Sequence, residues 1–153
     1  MLEVTLETAI AAPPELAYSV AKEVEKYPSF LPDVKEVTVL ERDGARTVTR
    51  WIGRVPELGM SVQWEQEEVW DDARRRSEFH VTKGDWDTYQ GWWQFDAQNG
   101  HTRLTLHLNA EVRIPLVGPL VHGIVERLAR ANAERMLDGL RVHVESLVAG
   151  AVA

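Results

Sequence analysis

The chain has 153 residues, a formal net charge of -7 and no cysteine. This length suffices for a buried core, and we expect residues 1–153 to form a single domain. The lack of cysteine excludes disulfides, thiol catalysis and cysteine-ligated zinc, and the negative charge argues against nucleic acid as a partner. We find neither a signal-peptide pattern nor the roughly 20 consecutive apolar residues of a membrane span, so we expect a cytoplasmic protein.

Alternation of apolar and polar residues predicts seven strands. They are expected at residues 2–10, 34–42, 45–55, 61–71, 75–84, 86–98 and 101–113. The two-residue period of a half-buried strand is clearest at Leu104, Leu106 and Leu108. Turn sequences such as Asn99-Gly100 separate the segments, which predicts a meander of antiparallel hairpins.

Two regions have a helical period instead. Residues 13–26 begin with two prolines and end before Pro28, which predicts a short helix after the first strand, with a further short turn at 29–31. After residue 113, apolar residues recur at three- and four-residue steps, which predicts one long amphipathic helix over about 116–149. Its apolar stripe comprises Leu120, Val121, Ile124, Leu128, Met136, Leu140, Val144 and Leu147. A lone long helix laid against a curved sheet can enclose a cavity.

Residues 27–37 read YPSFLPDVKEV and residues 39–44 read VLERDG. This segment resembles a motif of the polyketide cyclase/dehydrase and coenzyme Q-binding group in the START-like (SRPBCC) superfamily. The resemblance implies an α+β helix-grip fold like that of the birch-pollen allergen, with a curved antiparallel sheet, one or two short helices after strand 1, and a long C-terminal helix over a cavity. It implies binding or transport of a small hydrophobic ligand: a lipid, a quinone or isoprenoid, or a polyketide-like aromatic compound. A minority of such proteins catalyse cyclisation or dehydration, so a cyclase or dehydratase is the alternative.

Side-chain alternation also predicts which residues face that cavity. The candidates for ligand contact are Phe79, Val81, Tyr89, Gly91, Trp93, Phe95, Leu104, Leu106, Leu108, Ile124, Leu128, Asn132 and Met136. Gly91 leaves an unfilled place on the inner row, which suits either a ligand or a strand bend. We expect a large residue at position 91 to abolish ligand binding and to leave the fold intact.

The residue pattern of the third and fourth predicted strands does not show which of their faces is buried. Trp51 faces opposite to Ile52, and Trp64 shares its row with polar residues that include Glu68. The tryptophans suit either a pocket for a flat ligand or ordinary core packing. An inward Glu68 would have a raised pKa suited to general acid catalysis, whereas a solvated surface carboxylate is the more common arrangement.

Few polar residues stand out as candidates for chemistry. Asn132 lies on the apolar stripe, where it would bind the polar end of a ligand or be satisfied by backbone or water, and Arg135 lies at the edge of the stripe. Among the histidines, His122 is the candidate for the cavity mouth. The histidines show no metal-ligand spacing and no nucleophile or phosphate-binding motif is present, so we assign no catalytic residue, metal or cofactor.

Residues 57–72 contain six acidic residues and no lysine or arginine, and residues 74–76 are three arginines. The ordinary interpretation is a solvated hairpin with opposite charges paired across strands, and the sharper one is a docking surface for a protein. A cavity lined only by apolar and amide groups would favour a carrier. An inward-facing titratable group would favour an enzyme, and an interior without a cavity would favour docking to a protein. A protein partner or a homodimer is left open.

Overall fold

The computed structural model describes the backbone of residues 2–111 and 119–152 and the side chains of residues 2–111 and 123–150. Its elements are β1 Leu2–Ile10, α1 Pro14–Lys22, a 3-10 helix Val24–Ser29, β2 Val34–Asp43, β3 Arg46–Val55, a 3-10 turn Pro56–Leu58, β4 Met60–Asp71, β5 Arg76–Gly84, β6 Thr88–Gln98, β7 His101–Glu111 and α2 Pro119–Val152. The predicted end of the last strand at residue 113 and the predicted start of the long helix at residue 116 lie outside the described residues. The side chains of Val112, Leu120, Val121 and His122 also lie outside them.

The helical region after β1 differs from its prediction. A single helix over residues 13–26 is wrong, because α1 ends at Lys22 and Glu23 has non-helical backbone angles. The chain then continues as a 3-10 helix that contains Pro28. Proline has no N–H and disfavours α-helical geometry at the residue before it, so this segment forms tighter i→i+3 bonds instead.

The strands form one sheet in the order β1-β7-β6-β5-β4-β3-β2, and every neighbouring pair is antiparallel. The meander from β2 to β7 is completed by β1, which pairs with β7 along its whole length. Pairing between β5 and β6 is short, from Arg76 opposite Gln94 to His80 opposite Gln90. With α2 packed across the curved sheet, this is the predicted helix-grip fold.

The inner face of β7 is confirmed. Leu104, Leu106, Leu108 and Ala110 are at most 2% exposed. Phe95 on β6 is equally buried, and the partly buried Trp93 packs against the same core. These rows follow the predicted alternation because most of their inward positions are apolar or aromatic.

On β3 and β4 the inner face is the row that mixes tryptophan with polar residues. Trp51 and Thr49 point inward from β3, while Trp64 and Glu68 point inward from β4, and all four are buried. The apolar Val69 lies on the outer face of β4 and is 45% exposed. Hydrophobicity alone therefore does not assign these two strands.

Gly91 does not leave an open place on the inner row. A Cβ atom added there would overlap the carbonyl oxygen of His107 on β7. The space beside Trp93 is thus taken by neighbouring backbone, and a substitution must disturb the pairing of β6 with β7. The expectation that a large residue at position 91 would leave the fold intact is wrong.

The two halves of α2 differ in burial. Leu137, Leu140 and Val144 in the C-terminal half are at most 4% exposed, whereas the described side chains over residues 123–132 are all half-buried or exposed. Leu147, predicted on the apolar stripe, is 41% exposed. Four residues after Val144, the next inward position on the helix falls at residue 148 rather than 147. No helix in the described part of the chain is both long and apolar enough to cross a membrane.

Acidic residues of the stretch 57–72 form ion pairs with basic residues on neighbouring strands. Glu65 lies 3.6 Å from Arg50 on β3 and 3.3 Å from Lys83 on β5, and Glu67 lies 3.1 Å from Arg46. Pairing across strands is confirmed, but with β3 and β5 rather than with the arginine run at residues 74–76.

Candidate functional site

A cleft of about 420 Å³ lies between the N-terminal half of α2 and the β2, β3, β4 and β6 side of the sheet. This volume is within the range of about 300–1,000 Å³ that is usual for small-molecule sites. Most of its wall is aliphatic or aromatic, from Val34, Val55, Leu58, Met60, Val62, Trp64, Trp86, Tyr89, Val125, Leu128, Ala129 and Met136. The polar side chains are Asp33, Arg54, Glu57, Asp85, Asn132 and Arg135.

Trp64 is the centre of the aromatic wall. Its ring stacks on Trp51 at 5.8 Å between centroids, lies 5.3 Å from Tyr89, and meets Trp86 edge-on at 6.2 Å. Burial raises the pKa of Tyr89 to about 12, so this ring is neutral throughout the physiological range. Because the rings pack against one another, they form a rigid wall instead of filling the space in front of them.

Trp86 is held in the wall by the short turn between β5 and β6. The backbone N–H of Asp85 donates to the carbonyl of Gln63, and the Asp85 carboxylate accepts from the Gln63 N–H, both at 2.8 Å. The N–H of Asp87 donates to the carbonyl of Glu111 at 2.9 Å. Within the described residues the indole nitrogen of Trp86 is buried and has no hydrogen-bond partner. The cleft wall thus contains a donor that the described protein groups do not satisfy.

A second, smaller pocket of about 30 Å³ lies deeper in the molecule. Its lining includes Trp64, Tyr89 and Met136, which also line the cleft, so these three side chains separate the two spaces. The remaining inner lining includes Phe79, Trp93, Leu106 and Glu68. The smaller pocket, here called the inner pocket, is therefore the closed end of the same interior.

Glu68 is the centre of a buried hydrogen-bond network in the inner pocket. Its Oε1 accepts from the hydroxyls of Thr47 at 2.9 Å and Thr49 at 3.0 Å, and its Oε2 accepts from the Gln66 amide at 3.0 Å. Burial raises the pKa of Glu68, and the three hydrogen bonds oppose this shift only in part. The side chain is 3% exposed, so Glu68 keeps its proton to a higher pH than a carboxyl group in water.

Each of the three groups that donate to Glu68 accepts in turn from a tryptophan. Trp70 donates to Thr47 at 3.3 Å, Trp51 to Thr49 at 2.7 Å, and Trp64 to Gln66 at 2.8 Å. Strand register explains this arrangement, since Thr47 lies opposite Glu68 and Thr49 lies opposite Gln66. The network fixes the orientation of three indole rings that face the interior.

A group of charged residues lies at the opposite, outer end of the cleft. Arg135 donates to Asp33 at 2.6 Å and to Glu57 at 3.1 Å, and the amide of Asn132 donates to Asp33 at 3.2 Å. The hydrogen bond to Asp33 is the main cause of a raised pKa at Arg135. Arg135 therefore connects α2 to the loop before β2 and to the turn after β3.

The predicted ligand residues divide into three sets. Tyr89, Leu128, Asn132 and Met136 line the cleft. Phe79, Tyr89, Trp93, Leu106 and Met136 line the inner pocket. The third set lines neither space and comprises Val81, Gly91, Phe95, Leu104, Leu108 and Ile124. Phe95, Leu104 and Leu108 are at most 1% exposed and belong to the packed core.

Several lining residues were considered in the sequence but not included among the predicted ligand contacts, and they come mainly from β3, β4 and the β5–β6 turn. They include Trp51, Trp64, Glu68, Trp70 and Trp86. One signal was available, because Trp64 and Trp70 flank Glu68 on the same strand row. Two tryptophans on one row indicate a buried face, even where polar residues separate them.

The described histidines do not add to the site. His107 stacks on Trp92 and contacts Thr5 on the outer face of the sheet, and His143 stacks on Phe30 at 3.9 Å. In the described part of the chain, no three histidine, aspartate or glutamate side chains are grouped so that they could hold a metal ion. The side chain of His122, predicted at the cavity mouth, lies outside the described residues.

Residues 10–137 match the family described as polyketide cyclase / dehydrase and lipid transport. The chain belongs to this family. No curated protein matches the sequence. Among solved structures, TTHA0849 from Thermus thermophilus is 38% identical, with a TM-score of 0.89 over 95% of this chain and 99% of that one.

Two further structural relatives of this polyketide cyclase family member are less similar in sequence. The Zhui aromatase/cyclase from Streptomyces sp. R1128 is 21% identical, with a TM-score of 0.89 over 96% of this chain and 95% of that one. A START superfamily protein from Mycobacterium smegmatis is 22% identical, with a TM-score of 0.79 over 95% and 98%. At these identities the likeness establishes the helix-grip fold alone.

Proposed function

We propose that this polyketide cyclase family member binds a small, flat and largely apolar molecule in the cleft, and holds or transports it. The observation that carries the proposal is the cleft of about 420 Å³, whose wall combines stacked aromatic rings with aliphatic side chains of α2. Among the lipid, isoprenoid and aromatic ligands implied by the sequence, the stacked wall favours a fused-ring compound, because an aromatic ring packs well against other rings.

The polar groups of the cleft support a ligand with some oxygen atoms. The indole N–H of Trp86 has no partner among the described residues and gains one if the ligand presents an acceptor. A buried donor without a partner costs about 1–3 kcal/mol. Arg54 and Arg135 line the same space near its outer end. A ring compound with carbonyl or phenol groups fits both the apolar wall and these donors.

Ligand binding in the cleft can be tested with 1-anilinonaphthalene-8-sulfonate, whose fluorescence rises in apolar sites. Ala129→Phe places a ring in the cleft, and we expect it to weaken probe binding at least about tenfold. Val142→Phe is the matched control, because Val142 lies on the same helix and is 51% exposed. Equal affinity for the probe in both variants would show that the cleft is not the binding site.

Cyclisation or dehydration of a polyketide-like substrate is the second candidate. It is favoured by the buried carboxyl of Glu68, an inward titratable group in the inner pocket that could serve as a general acid. The test is incubation with a synthetic β-triketone and detection by mass spectrometry of a ring product that has lost one water molecule. Product formation above the uncatalysed rate, lost in Glu68→Gln, would favour the enzyme, and its absence would favour the carrier.

In this proposal, residues 1–153 form one START-like domain that acts in the cytoplasm on a small-molecule partner, with no nucleic acid, metal or cofactor. Its ligand contacts are the predicted residues that line the two spaces, together with the tryptophans of β3 and β4.

A further inference from the structure

The hydrogen bonds at Glu68 leave one of its oxygen atoms incompletely used. Oε1 accepts from two threonine hydroxyls, whereas among the described residues Oε2 accepts only from the Gln66 amide. Each carboxyl oxygen can accept two hydrogen bonds, or carry a proton and donate one. Oε2 is therefore the atom with capacity for a further partner.

In its neutral form Glu68 has an O–H that none of the described hydrogen bonds uses, because Glu68 is the acceptor in all three. Thr47 and Thr49 use their hydroxyl protons toward Oε1, and the Gln66 oxygen already accepts from Trp64. Within the described residues no lysine, arginine or histidine pairs with Glu68, and burial favours its neutral form. A neutral acid has an O–H that needs an acceptor, and the network supplies fixed donors around it.

The inner pocket is small at present but has one adaptable wall. At about 30 Å³ it has room for on the order of two water molecules. Trp64 and Tyr89 are held by ring contacts at 5.3–5.8 Å, whereas Met136 is an unbranched side chain on the half-buried face of α2. Methionine changes rotamer readily, so a ligand in the cleft can reach Glu68 by displacing Met136.

We propose that Glu68 is the polar contact at the closed end of the ligand site, where its Oε2–H donates to a carbonyl or phenol oxygen of a ring compound that has moved Met136 aside. This inference rests on the proposed ligand function and adds the residue that contacts the leading oxygen atom of the ring compound. The three tryptophans that polarise the donors to Glu68 also form the walls along which the ring enters.

The inference is tested with 2-acetylnaphthalene and 2-isopropenylnaphthalene, two probes of the same shape that differ by a carbonyl oxygen in place of a methylene group. In equilibrium dialysis near pH 5, we expect the wild-type protein to prefer the ketone about tenfold, the effect of one good buried hydrogen bond. Glu68→Leu should remove this preference by weakening binding of the ketone alone.

A pH series provides a second measurement that does not depend on whether Glu68→Leu folds. The ketone affinity of the wild type should fall as Glu68 ionises, because a carboxylate cannot donate, while Glu68→Gln should bind the ketone without this pH dependence. The titratable groups that face Glu68 are Glu25 and Tyr27 of the 3-10 helix and Tyr89 of β6, and α2 presents Ala133 and Met136. Burial raises the pKa of both tyrosines, and Glu25→Gln serves as the control for the remaining carboxylate.

The outcomes separate this inference from the function on which it rests. A ketone preference that is lost in Glu68→Leu, or that falls with pH only when Glu68 is present, supports the Glu68 contact. Equal binding of both probes to the wild type would overturn the Glu68 contact and leave the cleft as a ligand site. Binding of neither probe, nor of the naphthalene sulfonate, would overturn the ligand function itself.

Discussion

The two halves of α2 cover the same sheet in different ways. The helix packs against β1 and β7, and its C-terminal half buries Leu137, Leu140 and Val144 to 4% exposure or less. The N-terminal half lies over the side of the sheet that carries the tryptophans, and there Val125 and Leu128 line a cleft. One amphipathic helix therefore anchors the fold at one end and forms the wall of a cavity at the other.

The difference originates in the side chains of the sheet. On β7, Leu104 and Leu108 are branched and adaptable, and they fill the space up to the helix. On β3 and β4, Trp51 and Trp64 stack on each other nearly in parallel, at 5.8 Å and 8°. These rings pack against each other, and their N–H groups donate to the buried hydrogen-bond network, so their position does not depend on packing against the helix. A cavity can therefore persist beside a well-packed core.

The largest expected effect on stability comes from comparing a substitution in the buried C-terminal half of α2 with one in the N-terminal half that lines the cleft. Leu140→Ala removes a side chain that is 1% exposed and should destabilise the protein by about 2–5 kcal/mol. Leu128→Ala only widens an existing cleft and should cost less than about 1.5 kcal/mol. The measurement is the free energy of unfolding in urea. Equal losses at the two positions would contradict the division of α2 into two halves.

A second large effect is expected at Gly91, within the sheet. Gly91→Ala should destabilise the protein by about 1–3 kcal/mol or more, because its Cβ would overlap the backbone of His107. Gly123→Ala is the control, since a Cβ at this exposed helical position meets no atom within 4 Å and should stabilise by up to about 1 kcal/mol. Thermal unfolding of the two variants measures the contrast. An unchanged melting temperature for Gly91→Ala would show that β6 and β7 can separate locally without cost.

A moderate effect is expected from the protonation of Glu68. The native protein raises the pKa of this group above 4.5, so between 4.5 and the native pKa the folded state binds more protons than the unfolded state. Stability contributed by Glu68 should therefore fall as pH rises through this window, by up to about 1.4 kcal/mol per pH unit. The measurement is the difference in unfolding free energy between wild type and Glu68→Gln from pH 4 to 9. A difference that does not change with pH would contradict a neutral Glu68.

The smallest expected effect is at the outer end of the cleft. Arg135→Gln removes the contacts to Asp33 and Glu57, and because Arg135 is 44% exposed the cost in stability should be below about 1 kcal/mol. Release of a bound probe should nevertheless be faster, since these contacts join α2 to the rim of the cleft. Stopped-flow displacement measures the rate, with Arg130→Gln as the control because Arg130 pairs with Glu134 on α2 itself. Equal release rates would exclude a role for Arg135 in retaining ligand.

The order of elements and the inner face of β7 could be predicted because both depend on local alternation. Leu104, Leu106 and Leu108 share one row, and Thr102 is the single polar residue of that row within β7. The family resemblance in residues 27–44 supplied the arrangement of helix and sheet. These parts of the fold follow from short segments of sequence.

The candidate site was predicted less completely because its contacts join distant parts of the chain. Glu68 is acceptable inside the protein only when β3 brings Thr47 and Thr49 to it, 21 and 19 residues away in sequence. Asn132 was expected to face the cavity and does, but its partner Asp33 lies 99 residues away. Hydrophobic alternation contains no information about such partners, so polar residues on an inner row are assigned to the surface.

The most direct test of the cleft as the ligand site uses the methionine methyl groups. The sequence contains three methionines, and two of them, Met60 and Met136, line the cleft. With carbon-13 in the methionine methyls, 2-acetylnaphthalene should shift both of these resonances through its ring current, with one common dissociation constant, and Met60→Leu and Met136→Leu assign the signals. Binding in dialysis that leaves both resonances unmoved would contradict a ligand site between α2 and the tryptophan side of the sheet.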